Sequence, residues 1–249
     1  MMSNREAVMR AACGVELWPM RLLFTAVAIA FALNGTGVAQ PPQDSQDSTT
    51  TLPKSYKLEF ENDWVRIVRV HYDAKSKLPE HEHPPGITVY LYLNASDGVL
   101  FQHNQDEEAV RRPAVLAGAI RVSTTPLEHH TATNVAAEPS DFIRVLLKTE
   151  TGRLGPPNAR MTPSIMDYEH ARVRVSRINL QPGTKTRIEA RSFPILRVAW
   201  LPGKTEWKLA AKNAYRFLDK GTTEEFEVTG DVPIQLVTIE LRMPLAKPR

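Results

Sequence analysis

Leu78-Pro79-Glu80-His81-Glu82-His83-Pro84-Pro85-Gly86 carries two histidines at positions i and i+2. On an extended strand they point to the same side of the sheet and Glu82 points to the other. That sets two imidazoles side by side, the way a strand offers two ligands to one metal ion. A third histidine opens a second pattern downstream, His130-Thr131-Ala132-Thr133-Asn134. Neutral imidazole suits first-row divalent ions. Bonds of about 2.0–2.1 Å to a zinc ion would draw all three rings to one point. His81 and His83 share a strand, so His130 has to come from a neighbouring strand folded back against it. The spacing predicts a metal site inside a β-barrel, with His81, His83 and His130 holding one divalent ion (Fe, Mn, Zn or Ni).

The flanking sequence supports a barrel. Short β-branched runs alternate with turn residues: Val65 to Val70, Ile87 to Leu93, Val99 to Phe101 and Phe142 to Leu147. The same texture returns at Ala171 to Ile178, Ile195 to Trp200 and Ile234 to Leu241. Short strands with turn signals between them indicate an all-β sandwich or barrel. Lys208 to Leu218 reads equally as a short helix or as strands.

The runs also repeat. Val65-Arg66-Ile67-Val68-Arg69-Val70 is matched by Val173-Arg174-Val175-Ser176-Arg177-Ile178, 108 residues later. Arg144-Val145-Leu146-Leu147 is matched by Leu236-Val237-Thr238-Ile239, 92 residues later, so the second half has lost loop residues. Two tandem barrels are expected, over residues 55–152 and 165–243. All seven histidines, at 71, 81, 83, 103, 129, 130 and 170, precede residue 171. The first offset sets Glu189 and Arg191 where His81 and His83 stand. The second barrel therefore has no polyhistidine site and serves as a structural or recognition partner.

The N-terminus predicts export. Leu22 to Leu33 is a twelve-residue apolar run after Arg21, followed by small residues at Gly37 and Ala39. This length suits a signal-peptide core better than a bilayer span. Residues 1–39 read as a signal peptide cleaved after Ala39, with Met20 as a natural alternative start; an uncleaved anchor is the competing reading. Export would place the protein in the periplasm or outside the cell, with no stable membrane insertion after cleavage. Residues 40–54, rich in Gln, Asp, Ser, Thr and Pro, read as a flexible linker. The single cysteine, Cys13, lies before the cleavage site, which excludes disulfides and thiolate chemistry from the remainder. The formal charge of +3, without a basic block, argues against nucleic-acid binding.

These residues resemble the cupin superfamily in its two-barrel form. His81-Glu82-His83 matches the first motif's histidine pair, and His130 to Asn134 matches the end of the second. Gly118 precedes that second motif, and Pro126 sits in its turn. The glutamate of the first motif would fall at Ile87 or Thr88, and neither is a carboxylate. Pro126-Leu127-Glu128 stands where the second motif has a glycine turn. The resemblance implies tandem jelly-roll (double-stranded β-helix) barrels with the ligands inside. It also implies a metal-dependent dioxygenase or isomerase acting on a small organic or sugar-like molecule, as a monomer or homodimer. A non-catalytic ligand-binding or structural protein is the alternative.

Several neighbours of the histidines bear on a pocket. Glu128, two residues before His130, shares its face and could replace the missing carboxylate. His129 faces the other way. His103 reads as a polar residue at a strand end. Thr88, Tyr90 and Tyr92 alternate with Ile87, Val89, Leu91 and Leu93. One set lines the barrel, and the pattern does not say which. Asn134 either caps its turn or reaches the site.

Overall fold

The computed structural model describes residues 47–103, 108–125, 128–149, 160–161, 166–169, 172–203, 206, 208–210 and 214–242. The expected signal peptide, residues 40–46 of the linker, Pro126 and His170 lie outside them. No helix among the described residues is long and apolar enough to cross a membrane.

The chain enters through a one-turn helix, α1 (Ser48–Thr51), and nine strands follow. They are β1 (Tyr56–Glu61), β2 (Val65–Tyr72), β3 (Lys77–His83), β4 (Gly86–Tyr92), β5 (Val99–His103), β6 (Val110–Arg111), β7 (Ile120–Thr125), β8 (Glu128–Asn134) and β9 (Ser140–Leu147). One sheet runs β1-β2-β9-β4-β7 and the other β3-β8-β5-β6, with antiparallel pairings throughout. From β2 to β5 and from β7 to β9 successive strands change sheets. That interleaving is the jelly roll, and it closes a barrel between the two sheets. Gly118, at φ 77°, makes the turn into β7, a left-handed conformation that favours glycine.

The alternation on β4 resolves in favour of both sets being buried. Tyr90 and Tyr92 point into the barrel with Val68, Val70, Tyr72 and Phe142. Ile87, Val89, Leu91 and Leu93 point out of it, yet all are at most 1% exposed. They join Val65, Ile67, Val145 and Leu147 in a cluster that includes Val173, Val198, Trp200 and Val237 of the second half. The barrels therefore pack sheet against sheet. Each fully buried aliphatic side chain there contributes on the order of 1.5–3 kcal/mol.

The second half comprises β10 (Arg160–Met161), β11 (Met166–Glu169), β12 (Val173–Leu180), β13 (Lys185–Glu189), β14 (Ile195–Leu201), β15 (Lys208–Leu209), β16 (Tyr215–Leu218), β17 (Thr223–Glu227) and β18 (Ile234–Leu241). Lys208 to Leu218 thus resolves into strands. Its larger sheet runs β10-β11-β12-β18-β14-β15, with β16 also on β14, while β13 pairs only with β17. This is a reduced jelly roll, because among the described residues nothing extends the β13–β17 pair as β5 and β6 extend β3–β8.

The register corrects one offset. Val65 pairs with Leu147 and Val173 with Leu241, so the final strands match 94 residues apart rather than 92. A slip of two residues keeps the same side chains on the same face, and so the Val-Leu texture alone did not detect it.

The linker reading also fails from Asp47 onward. Asp47 caps α1 by accepting from the Thr49 N–H at 2.8 Å and forms an ion pair with Arg66. Ser48 is buried against the barrel.

Candidate metal centre

The histidine pair reaches the interior through an irregularity in β3. Leu78 pairs with Ala132, but His81 pairs with His130, which leaves one extra residue in the bulge at Pro79-Glu80. Proline fits there because it has no N–H to give the ladder. The bulge also shifts the phase of the strand. Leu78 packs against the barrel core, and an unbroken strand would turn Glu80 and Glu82 inward after it. Instead His81 and His83 turn inward and are buried, at 0% and 4% exposed. His130 stands across the ladder from His81, and His103 stands across the next ladder from His130.

Three of these rings form a near-equilateral triangle. Centroids lie 4.8 Å apart for His81–His83, 4.8 Å for His81–His130 and 5.0 Å for His83–His130. One nitrogen from each lies within 4.8 Å of the others. His81 Nδ1 is 2.8 Å from the Pro79 carbonyl, which can only accept, so Nδ1 carries the proton. Its Nε2 lone pair then accepts from the Tyr56 hydroxyl at 2.7 Å. Tyr56 in turn meets Tyr72 at 2.8 Å. His83 Nδ1 meets Ser48 Oγ at 3.2 Å, leaving Nε2 free. His130 is buried with neither ring nitrogen hydrogen-bonded.

Burial drives all three imidazoles toward the neutral form. His130 is pushed down to about 3 by burial, reinforced by repulsion from His81 and His103. His83 is held well below 6.5 by burial and by the Arg144 charge. Burial lowers His81 too, against the Pro79 carbonyl. Metal ligation needs neutral imidazole, and these rings supply it without a proton to lose. Two orphaned nitrogens on one buried ring are rare in folded proteins. The donor set fits one divalent ion, with coordination positions left for solvent or substrate.

The triangle borders a cavity of ≈ 180 Å³ reached by His83, His130, Tyr56 and Arg144. Burial raises Tyr56 well above 10 and takes Tyr72 up to about 12, so both stay hydrogen-bond donors.

No family model and no curated protein sequence matches the chain. Solved structures do. AerE from Microcystis aeruginosa aligns with a TM-score of 0.53 at 11% identity, over 75% of this chain and 91% of its own. A cupin domain from Bordetella pertussis aligns at 14% identity over 37% of this chain and 91% of its own, with a TM-score of 0.32. A deletion mutant of Bacillus subtilis oxalate decarboxylase aligns at 9% identity over 80% and 72%, with a TM-score of 0.48. The chain shares the fold of AerE over three quarters of its length, and its strand order is that of two jelly-roll barrels in tandem. At these identities the likeness is one of fold alone.

Ile87 packs against the second half, so of the two positions where the resemblance sets a glutamate only Thr88 faces inward. It is fully buried on the inward face but does not line the cavity. Tyr90, Tyr92 and Glu128 do line it. Glu128 sits opposite His83 in the ladder, with Oε2 3.9 Å from His130 Nδ1. Asn134 does not reach the cavity. Its amide donates to the carbonyls of Asp73 at 3.1 Å and Glu138 at 2.9 Å, tying two turns together. His129 faces outward to Glu82 at 3.0 Å. His103, read as a strand-end residue, instead lines the cavity, its ring 5.3 Å from that of His130.

Tyr56, Tyr72, Phe142 and Arg144 were not anticipated at the site. Arg144 carried a usable signal, because it is a charged residue inside the apolar run Phe142 to Leu147, where guanidinium groups are seldom buried without a reason.

The second barrel carries an ion pair instead. With the 94-residue offset, Glu224 on β17 stands where His130 stands on β8. Arg197, 1% exposed, is held by Glu224 at 2.7 and 3.1 Å. Leu180, Ile188, Ala199 and Leu236 form an apolar cluster in the same half.

Proposed function

We propose that the first barrel is a metal-dependent enzyme site for a small organic molecule, with His81, His83 and His130 holding one divalent ion. The observation that carries this reading is the buried triangle of neutral imidazoles, one of them without any hydrogen bond, beside a cavity. A bound ion would supply Lewis acidity or a site for oxygen, consistent with dioxygenase or isomerase chemistry. The surrounding residues bind and orient. Phe101 and Phe142 give the cavity aromatic walls against which a planar organic molecule can stack. The Tyr56 hydroxyl, which donates to His81 Nε2 in the structure, would be released as a donor beside the ligand face when that nitrogen takes the ion.

The outer sheet face of each barrel is covered by the other, which supports a monomer. The apolar run at Leu22 to Leu33 supports action outside the cytoplasm.

A second reading, ligand capture without turnover, is favoured by Thr88 in place of a carboxylate. Elemental analysis after reconstitution with Fe, Mn, Ni and Zn tests the metal. One equivalent should bind the wild type and none the His81→Ala, His83→Ala double variant; a wild type without metal refutes the proposal. Turnover on a panel of single-ring organic substrates supports the enzyme, and stoichiometric metal without turnover supports capture.

A further inference from the structure

We propose that Arg144 is the anchor for a carboxylate, and that the molecule taken by the first barrel is a ring-sized organic acid. This rests on the metal site proposed above and adds the class of substrate.

Arg144 sits at the middle of β9, paired in register with Val68 and Tyr90, and its side chain lies on the barrel's inner face. It is 6% exposed, and its Nε and Nη2 have no hydrogen-bond partner. Among the described residues no carboxylate forms an ion pair with it. A guanidinium stays charged at any ordinary pH, so burying it unpaired is costly. The chain treats its other interior arginines differently. Arg197 has Glu224. Arg112 donates to Ser96 and Ser140 at 2.7 and 2.9 Å and lies over the Tyr92 and Phe142 rings.

The position suits an anchor. Arg144 projects from one sheet of the barrel and the three histidines from the other, and Arg144 shares the cavity with His83 and His130. An acid held at Arg144 would present its far end to the histidine face. Glu128, the carboxylate lining this cavity, stands beside His130 on the histidine sheet and leaves the guanidinium free.

Shape and size narrow the ligand. A guanidinium offers a flat pair of donors that matches a carboxylate in bidentate fashion. A cavity of ≈ 180 Å³ is close to the volume of about 150 Å³ that accepts benzene in an engineered apolar site. Aromatic walls fit a planar body.

Benzoate and benzamide share that body and differ in head-group charge. Calorimetric titration of each into the wild-type chain, metal-loaded and after chelation, tests the proposal. Benzoate should bind at least about tenfold more tightly than benzamide in both states. Arg144→Gln should erase that preference, leave benzamide binding unchanged and keep the metal stoichiometry, with Arg144→Lys intermediate. Benzoate that does not bind, or benzamide that binds as tightly, overturns the proposal on the wild type alone. A preference confined to the metal-loaded form assigns the carboxylate to the metal, and one surviving in Arg144→Gln assigns it to another group such as Arg111, Arg112 or Arg121 of the lining; either overturns the proposal. Inorganic phosphate binding more tightly than benzoate would replace the organic acid with a phosphate ligand. A chain that takes up no metal yet keeps the Arg144-dependent preference refutes the metal site and leaves the anchor standing.

Discussion

His130 lies directly opposite His81 across the β3–β8 ladder, with ring centroids 4.8 Å apart and almost perpendicular at 83°. Neither ring can take a proton easily, because each is buried and each would repel the other's charge.

That relationship sets the pH response. All three histidine pKa values are lowered from 6.5 in the fold, with His130 at about 3. The unfolded chain binds more protons than the native one between these limits. The stability these groups permit is therefore complete above pH 6.5 and lost as pH falls toward 3. Urea melts of metal-free protein should show midpoints falling across that window, and a His130→Phe variant should show a shallower fall. At pH 7 the rings are already neutral, so metal uptake should release no proton. Titrations in buffers of different ionisation enthalpy should give the same heat, whereas protonated ligands would make the heats diverge.

The bulge at Pro79-Glu80 is the device that aims the pair. Deleting Glu80 would remove the extra residue: Pro79 then comes opposite Thr131 while His81 stays opposite His130, so both histidines keep the inward face. The shortened chain should retain one equivalent of metal by elemental analysis, with the far-UV circular dichroism of an antiparallel β protein. Loss of metal from a folded deletion variant would show that the bulge does more than set the phase of the strand.

This device also marks where sequence reading stopped. The i, i+2 spacing of His81 and His83 placed both on one face, and it held because the bulge lies before them. Period-two logic could not reveal the bulge itself, since only Pro79 hints at it. The alternation on β4 was visible, but its meaning was not. A strand buried on both faces has two candidate interiors, and the barrel-to-barrel contact that hides Leu91 is made by residues more than eighty positions away. Arg144 and Tyr56 reach the site from strands with no motif. Their role comes from closure of the barrel, to which local pattern is blind.

The barrel interface should behave as a core. Leu91 is fully buried although it points out of its own barrel. Leu91→Ala should cost about 2–5 kcal/mol. Leu116→Ala, at a residue 76% exposed, should stay within about 0.5 kcal/mol of the wild type. Equilibrium urea unfolding monitored by tryptophan fluorescence reads both, and equal losses would show that the interface carries no packing energy.

Two buried arginines in duplicated barrels should answer substitution with opposite signs. Arg197 depends on Glu224, and Glu224→Gln would leave a buried guanidinium without its counter-charge, a loss of about 3–5 kcal/mol. Arg144 has no carboxylate partner to lose. Arg144→Met removes an unpaired buried charge and keeps much of the side-chain volume, so it should stabilise the metal-free chain by about 1–3 kcal/mol. Urea denaturation of the two variants in parallel reads both effects under one set of conditions. Such a gain would mean that the first barrel keeps Arg144 at the expense of stability, as ligand-binding sites do, while its degenerate twin has closed the equivalent interior with an internal ion pair. A destabilised Arg144→Met would instead make Arg144 part of the barrel's own packing.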